Sequence, residues 1–238
     1  MQVQSKKMKE TNFSIDHIPA VLYGGDADRV WLFVHGKCGC KEETRAFAEL
    51  ACPKGWQVLS IDLPGHGARR DEADAFDPWH AVPELQTVLA YARPRWAHIA
   101  LRATSLGAWF SMLAFAGEPL QKCLFVSPVL DMKRLIQTMM GWAGVTEAEL
   151  EARETIETAF GETLSWRYYQ YARAHAIESW TIPTAILYAE RDNLTARPVV
   201  DAFATRFGCG LTVVPDGEHW FHTPAQLDAL RRWEEANI

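Results

Sequence analysis

The sequence has few of the features that mark secreted, membrane-spanning or metal-binding proteins. No apolar run among its 238 residues approaches the roughly 20 needed to span a bilayer. Residues 1–10 carry positive charge without the apolar region of a secretory signal. The five cysteines are odd in number and scattered, and Cys38 and Cys40 are closer together than a zinc-binding pair. These absences predict a cytoplasmic protein with reduced thiols, without membrane insertion and without a metal.

Basic character is also scarce. Lysine and arginine total 24 against 30 aspartates and glutamates, which gives a net charge of −6. Proteins that bind nucleic acid usually carry a basic face, so the charge predicts that nucleic acid is not a partner. Hydrophobic residues make up 48% of the chain, which is ordinary for a globular protein long enough to bury a full core.

Short apolar runs alternate with longer amphipathic stretches along the chain. Runs that lack polar alternation fit strands covered on both faces, as in a parallel sheet. The runs are residues 30–34, 56–61, 98–103, 123–126, 184–188 and 211–214, with one or two edge strands expected within 13–23. Helical spacing is found over residues 42–51, 79–92, 105–116, 194–207 and 224–235. Gly208 suits a helix C-terminus, and Thr223-Pro224 suits a helix start. The order predicts an α/β fold with a mostly parallel sheet flanked by helices.

Residues 131–179 interrupt this alternation. They contain at least three helical patterns and no strand-like run, and Thr146 and Glu149 have the spacing of a capping box. We therefore predict a small helical cap inserted after the sixth strand, with residues 1–130 and 180–238 forming the core of a single domain. Aromatic residues within and beyond the insertion either pack it onto the core or line a substrate pocket. The pocket candidates are Trp142, Trp166, Tyr169 and Trp220.

Ser105 is the candidate nucleophile. It lies in Arg102-Ala-Thr-Ser-Leu-Gly107, where a predicted buried strand meets a predicted buried helix. A nucleophilic serine on such a sharp turn needs small neighbours two positions before and after it. Ala103 and Gly107 meet that requirement. The alternative for Ser105 is a simple helix N-cap.

A serine hydroxyl needs a base, and the base needs a carboxylate to orient it. His219 follows the last predicted strand, on the same sheet edge as Ser105, and is preferred over His222. Asp192 follows the 184–188 strand and is the preferred acid. The alternative acids are Asp131 and Glu190.

Acyl transfer also requires donors for the oxyanion of the tetrahedral intermediate. The backbone N–H of Leu106, at the helix start, is one candidate. The loop His35-Gly-Lys-Cys-Gly39 follows the first buried strand, and the Lys37 N–H is the second candidate.

These motifs and their order resemble the α/β-hydrolase superfamily over nearly the whole chain. Within it, the sequence is similar to small bacterial carboxylesterases and monoacylglycerol-lipase-like serine hydrolases. The resemblance implies a serine hydrolase that cleaves a small carboxylic ester without a cofactor. Ala103 replaces the usual first glycine of the serine turn, and Lys37-Cys38 replaces the glycine run of many esterases. The matching features are residues 30–36, Asp62-Leu-Pro-Gly-His-Gly67, Ser105, Asp192 and His219.

Several alternatives are left open by the sequence. The same three residues serve amide, thioester and peptide hydrolases, and a ligand-binding protein can use a hydrolase scaffold. Monomer and homodimer are not distinguished.

Overall fold

A computed structural model describes residues 8–238, which form ten strands and eight α-helices. The strands are β1 (Glu10–Ile15), β2 (Ile18–Tyr23), β3 (Arg29–Val34), β4 (Gln57–Ile61), β5 (His98–Thr104), β6 (Cys123–Val126), β7 (Thr155–Glu157), β8 (Thr163–Ser165), β9 (Thr184–Ala189) and β10 (Gly210–Val214). The helices are α1 (Arg45–Ala51), α2 (Pro78–Ala92), α3 (Leu106–Phe115), α4 (Met132–Ala143), α5 (Glu147–Arg153), α6 (Trp166–Ala174), α7 (Arg197–Phe207) and α8 (Pro224–Asn237). None of the helices in this part of the chain is long and apolar enough to cross a membrane.

Eight strands make one sheet in the order β1-β2-β4-β3-β5-β6-β9-β10. The strand pairs β1–β2 and β2–β4 are antiparallel, and all other pairs from β4 to β10 are parallel. Parallel strands present their carboxyl ends at one edge, which is where open α/β sheets bind ligands. The loops after β3, β5, β9 and β10 therefore meet on the same side of the molecule.

The sheet is covered on both faces, as the continuous apolar runs predict. Successive residues of β3 alternate between two cores: Val30 and Leu32 face one, and Trp31 and Phe33 face the other. Helices α2, α3 and α7 cover the first face, and α1 and α8 cover the second. Because both faces of the central strands are buried, their sequences are apolar at successive positions and do not alternate with polar residues.

Helix boundaries follow the local capping chemistry. Thr223 caps α8 in a capping box with Gln226, and Gly208 ends α7 with a φ of 66°. Helix α7 begins at Arg197, three residues later than the periodicity predicts. The side chain of Asp192 accepts the N–H groups of Leu194 and Thr195, so this segment forms a loop instead of a helical turn.

The insertion (residues 131–179) contains the three predicted helices α4, α5 and α6, and the predicted capping box at Thr146 is present. The expectation that it lacks strands is wrong, because β7 and β8 form an antiparallel hairpin. Each strand has only three residues, too few for a periodicity to be visible. The buried side chains of Ile156 and Leu164 are paired across it and attach the hairpin to the main core.

Candidate active site

Ser105 lies in a strained turn between β5 and α3. Its φ of 51° and ψ of −121° lie outside the regions that non-glycine residues usually occupy. Backbone bonds fix this conformation: the Ser105 N–H donates to Val126 at 3.1 Å, and its carbonyl accepts from Ala108 and Val129, each at 3.1 Å. The turn holds the hydroxyl at the carboxyl edge of the sheet.

Close packing behind the turn explains the small residues around it. A Cβ added to Gly107 would lie 2.2 Å from the carbonyl oxygen of His35, and one added to Gly36 would lie 3.1 Å from Cβ of Ser105. The loop after β3 therefore approaches the serine turn backbone to backbone.

Ser105, His219 and Asp192 form one hydrogen-bonded chain. Ser105 Oγ is 2.9 Å from His219 Nε2, and His219 Nδ1 is 2.7 Å from Asp192 Oδ2. Because a carboxylate only accepts, Nδ1 carries the ring proton, which leaves Nε2 as the acceptor for the serine hydroxyl. The serine proton can pass to the imidazole along this bond.

The Asp192 carboxylate is held from two directions. Its side chain is fully buried, and Oδ1 accepts the N–H groups of Leu194 at 2.8 Å and Thr195 at 2.9 Å, which leaves Oδ2 for His219. The alternative acids are occupied elsewhere. Asp131 caps α4 through the Arg134 N–H, and Glu190 accepts the Asp216 N–H at 2.9 Å.

The loops that carry Asp192 and His219 are attached to each other. The Arg191 N–H donates to the Gly217 carbonyl at 2.8 Å, and the Arg191 side chain pairs with Asp216. His222, the alternative base, is exposed and directs Nδ1 to the Trp220 carbonyl at 2.7 Å. Within residues 8–238, Ser105 has its side-chain hydrogen bond to His219 and none to His222.

His35 fixes the start of the loop after β3. Its Nδ1–H donates to the Gly36 carbonyl at 2.7 Å, and its Nε2 accepts the Leu63 N–H at 3.1 Å. Complete burial, the largest cause, lowers the pKa of His35 from 6.5 to about 4. The ring is therefore neutral near pH 7.

His66 holds the next part of this loop. Its Nε2 accepts the Cys38 N–H at 2.9 Å, and Nδ1 donates to the Pro64 carbonyl at 2.8 Å. Within residues 8–238, the N–H groups of Lys37 and Leu106 donate to no backbone or side-chain acceptor. Both residues line the cavity next to Ser105.

Asp62 connects the two loops that His35 and His66 hold together. Its buried carboxylate accepts from the Lys41 side chain at 2.7 Å, the Lys41 N–H at 2.8 Å and the Ala68 N–H at 3.0 Å. Burial alone would raise the pKa of this carboxyl, but these donors outweigh it and hold the pKa below its ordinary value. The Asp62-to-Gly67 motif therefore shapes the loop that carries His66.

A cavity of about 320 Å³ opens next to Ser105 and is mostly apolar. Helix α4 supplies one wall, the hairpin and α6 another, and the segments that follow β3, β4, β5, β6 and β9 supply the remainder. The lining residues that come from the insertion are Met132, Leu135, Ile136, Met139, Trp142, Phe160, Glu162, Thr163, Leu164, Ser165 and Tyr168.

Of the four tryptophan and tyrosine residues predicted to line a pocket, only Trp142 lines this cavity. Tyr169 is completely buried and donates its hydroxyl to Glu147, with Trp166 packed against its ring. Trp220 is 75% exposed and stacks on His222. Their neighbour Tyr168 faces the cavity instead.

Sequence reasoning also missed the α4 wall, although its signal was present. Residues 132, 135, 136 and 139 are spaced i, i+3, i+4 and i+7, the pattern of one apolar helix face. Glu162 had no such signal. Its partner is the Lys37 ammonium, 125 positions earlier.

The described part of the chain contains no group of three or more His, Cys, Asp or Glu side chains placed to hold a metal ion. All five cysteines lie within this part and are free thiols.

No protein-family model matches the chain. A stretch of 48 residues, 20% of the chain, is 52% identical to 2-succinyl-6-hydroxy-2,4-cyclohexadiene-1-carboxylate synthase of Serratia proteamaculans (strain 568). That match spans only 18% of the relative's length.

Solved structures resemble the chain over almost its full length. Est1E from Butyrivibrio proteoclasticus with bound ferulic acid has a TM-score of 0.78 at 19% identity, covering 95% of this chain and 97% of its own. An Agrobacterium vitis S4 protein described as a hydrolase has a TM-score of 0.76 at 19% identity, covering 97% and 99%. Mouse alpha/beta hydrolase domain-containing protein 10 has a TM-score of 0.76 at 15% identity, covering 97% and 98%. The chain therefore has the α/β-hydrolase fold.

Proposed function

We propose that the chain is a serine hydrolase that cleaves a small carboxylic ester through an acyl-enzyme. The observation that carries the proposal is the hydrogen-bonded chain from Ser105 through His219 to Asp192, built at the carboxyl edge of the sheet. A helix N-cap serine needs neither partner, and a ligand-binding protein needs none of the three.

In this mechanism Ser105 Oγ attacks the ester carbonyl carbon while its proton passes to His219 Nε2. Asp192 stabilises the resulting imidazolium. The protonated ring then gives its proton to the departing alkoxide, which leaves as an alcohol. His219 next removes a proton from water while the hydroxide attacks the acyl carbon. The bond between the acyl carbon and Ser105 Oγ then breaks as the protonated ring gives its proton back to Oγ, which restores the serine hydroxyl and releases a carboxylic acid as the second product.

The N–H groups of Leu106 and Lys37 are the proposed donors to the oxyanion. Both are free of backbone and side-chain acceptors within residues 8–238, and both residues line the cavity next to Ser105. Such donors act by being in place before charge develops on the carbonyl oxygen.

The insertion is the proposed cap of the site, with residues 1–130 and 180–238 as the core. Its apolar cavity wall supports an acyl or aryl hydrocarbon group as the part of the ester that it holds. The ferulic acid bound to the similar Est1E makes aryl carboxylate esters the first members of a substrate panel. Five free thiols fit a reducing compartment, so the proposal includes a cytoplasmic location.

The test is the intact mass of the protein after treatment with a fluorophosphonate, which labels an activated serine without needing the natural substrate. We expect one adduct on the wild type and none on Ser105→Ala. An ester, thioester and amide panel then identifies the acyl donor. A well-folded wild type without an adduct would overturn the proposal.

A further inference from the structure

A second cavity, of about 410 Å³, lies between α4, α6 and α7. Its volume is within the range of small-molecule sites, roughly 300–1,000 Å³. In the described part of the chain, Met132 is the one residue that lines both this cavity and the cavity at Ser105. The proposed hydrolysis therefore makes no use of the second cavity.

The lining of the second cavity is basic, although the chain as a whole carries a net charge of −6. Four cationic side chains and one carboxylate belong to the lining, and all five residues are exposed. The cations are Lys133 and Arg134 on α4, Arg173 on α6 and Arg206 on α7, and the carboxylate is that of Asp131. A surface that concentrates one sign of charge in this way attracts ligands of the opposite sign.

Helix dipoles explain the cations on α6 and α7 but not those on α4. Arg173 and Arg206 lie in the last turns of their helices, where the partial negative charge of the helix end stabilises a cation. Lys133 and Arg134 lie in the first turn of α4, where the partial positive charge disfavours a cation, and that turn contains no acidic residue. An anion bound in the cavity would offset this unfavourable arrangement.

Three of the four cations have no carboxylate partner in the part of the chain that the structure describes. Lys133, Arg134 and Arg206 form no ion pair there, and residues 1–7 contain no acidic side chain. Asp131, the one acid in the lining, accepts the Arg134 N–H at 2.9 Å as the cap of α4. The three positive charges are therefore available to a bound anion.

The floor of the second cavity is apolar. It is made by side chains that are buried in the main core, those of Trp109, Leu130, Met132 and Phe203. A bare inorganic anion would leave this apolar surface against water, whereas a hydrocarbon group would cover it. The cavity therefore fits a ligand that has a hydrocarbon body and an anionic head group.

We propose that the second cavity binds an amphiphilic anion, a medium-chain or aromatic compound whose carboxylate or phosphate head group lies among Lys133, Arg134 and Arg206. Arginine can form paired, charge-assisted hydrogen bonds with either head group. The inference does not rest on the proposed hydrolase function, because none of these three cations takes part in that reaction.

Isothermal titration calorimetry with small probes tests the class of ligand. Octanoate carries both the chain and the charge, octanamide carries the chain alone, and acetate carries the charge alone. Octanoate should bind at least about tenfold more tightly than either of the others. Octyl phosphate, titrated in parallel, distinguishes the two head groups, because the tighter of the two anions identifies the head group that the cavity prefers.

A double variant locates the bound probe, which is needed because the cavity at Ser105 is also apolar. Lys133→Gln/Arg206→Gln should weaken octanoate binding about tenfold and leave octanamide binding unchanged. Tenfold corresponds to about 1.4 kcal/mol, which two exposed charge contacts can supply. The matched control is Arg231→Gln/Arg232→Gln, which makes the same change in net charge at exposed positions of α8, on the other face of the sheet. It should bind octanoate as the wild type does.

Ala202→Trp tests the location independently of charge. Residue 202 is exposed on α7 and lines the cavity, so a larger side chain there should fill the space without entering the core. We expect this variant to lose one equivalent of bound octanoate and to keep the thermal unfolding midpoint of the wild type.

Three results would overturn the inference. The wild type binds no octanoate, or octanamide binds as tightly as octanoate, which would mean that the cations do not contribute. The third is wild-type octanoate binding in both Lys133→Gln/Arg206→Gln and Ala202→Trp, which would place the probe outside the second cavity.

Discussion

The two sides of the cavity at Ser105 are held by different kinds of interaction. On the sheet side, polar groups are fixed by several directional bonds: the Asp192 carboxylate accepts three, and the ring of His219 makes two. On the insertion side, the wall is mostly apolar side chains of α4, the hairpin and α6, and one ion pair connects it to the loop after β3.

Under the proposed function, this difference separates chemistry from selectivity. A proton transfer requires donor and acceptor within a few tenths of an ångström, so its groups must be oriented by hydrogen bonds. An apolar wall selects by shape and tolerates exchanges that conserve volume. Substitutions on the sheet side should therefore act mainly on kcat, and substitutions on the insertion side should act mainly on KM and on substrate preference.

The largest expected effect is that of Asp192→Asn. An asparagine oxygen can still accept the Leu194 and Thr195 N–H groups, so the loop should keep its fold. Its amide would face His219 Nδ1 as a donor, which forces the wrong tautomer on the ring. We expect kcat to fall by up to about 10⁴, measured with an aryl ester. The control is Asp131→Asn, which leaves a good helix cap on α4 and should retain activity. Loss in Asp131→Asn with near-normal Asp192→Asn would move the acid to residue 131.

Gly107→Ala tests whether the fit between the serine turn and the loop after β3 is needed. The added Cβ would lie 2.2 Å from the carbonyl oxygen of His35, so the loop must move away from Ser105. We expect kcat/KM to fall by about 10²–10³, the usual cost of losing one oxyanion donor. Gly141→Ala is the control, because a Cβ there meets no atom within 4 Å. Normal turnover in Gly107→Ala would show that the loop position does not limit the reaction.

His35 makes the sheet side sensitive to acid. The pKa of His35 is about 6.5 in the unfolded chain, and burial lowers it to about 4 in the folded chain. More protons are bound in the unfolded state between these values, so the free energy of unfolding falls as pH decreases through this window. The full difference is roughly 3 kcal/mol.

Urea unfolding at pH 7.0, 5.5 and 4.5 would measure this effect. Wild type should lose stability more steeply than His35→Gln, whatever the absolute stability of the variant at pH 7. Parallel curves for the two proteins would mean that His35 does not resist protonation in the folded state.

The sequence predicted the sheet side better than the insertion side for a physical reason. Ser105, Asp192 and His219 each follow a recognisable buried strand, and the parallel topology brings strand ends together whatever the details of packing. Once the strands are identified, the contact between these residues follows from local order along the chain.

The pocket residues depended on how the insertion docks, which no local pattern contains. Neighbouring residues of a helix point about 100° apart. Whether Tyr168 or Tyr169 faces the cavity therefore depends on the rotation of α6 about its own axis, which the local sequence does not specify. Cavity contacts place Tyr168 inside, and the hydroxyl of Tyr169 binds Glu147. The ion pair of Lys37 and Glu162 joins segments 125 residues apart and had no local signal at all.

The smallest expected effect is that of replacing Trp142, and the comparison is with Trp220, a second exposed tryptophan. Trp142 is 50% exposed and lines the cavity, where its ring packs edge-on against Phe160 at 5.8 Å. Trp220 is 75% exposed and lies outside the lining. For Trp142→Ala we expect KM for a hexanoyl aryl ester to rise about three- to tenfold, since a lost apolar contact typically changes discrimination by roughly 1 kcal/mol or more. Hydrolysis of the acetyl ester should not change.

Trp220→Ala is the matched variant and should leave the ratio of hexanoyl to acetyl hydrolysis as in wild type. If Trp220→Ala changes that ratio and Trp142→Ala does not, the acyl group lies on the His219 side of the site, and the division between a sheet side for chemistry and an insertion side for selectivity would fail. If both variants change it, the substrate contacts both rings, and the acyl group is not confined to the wall that the insertion supplies.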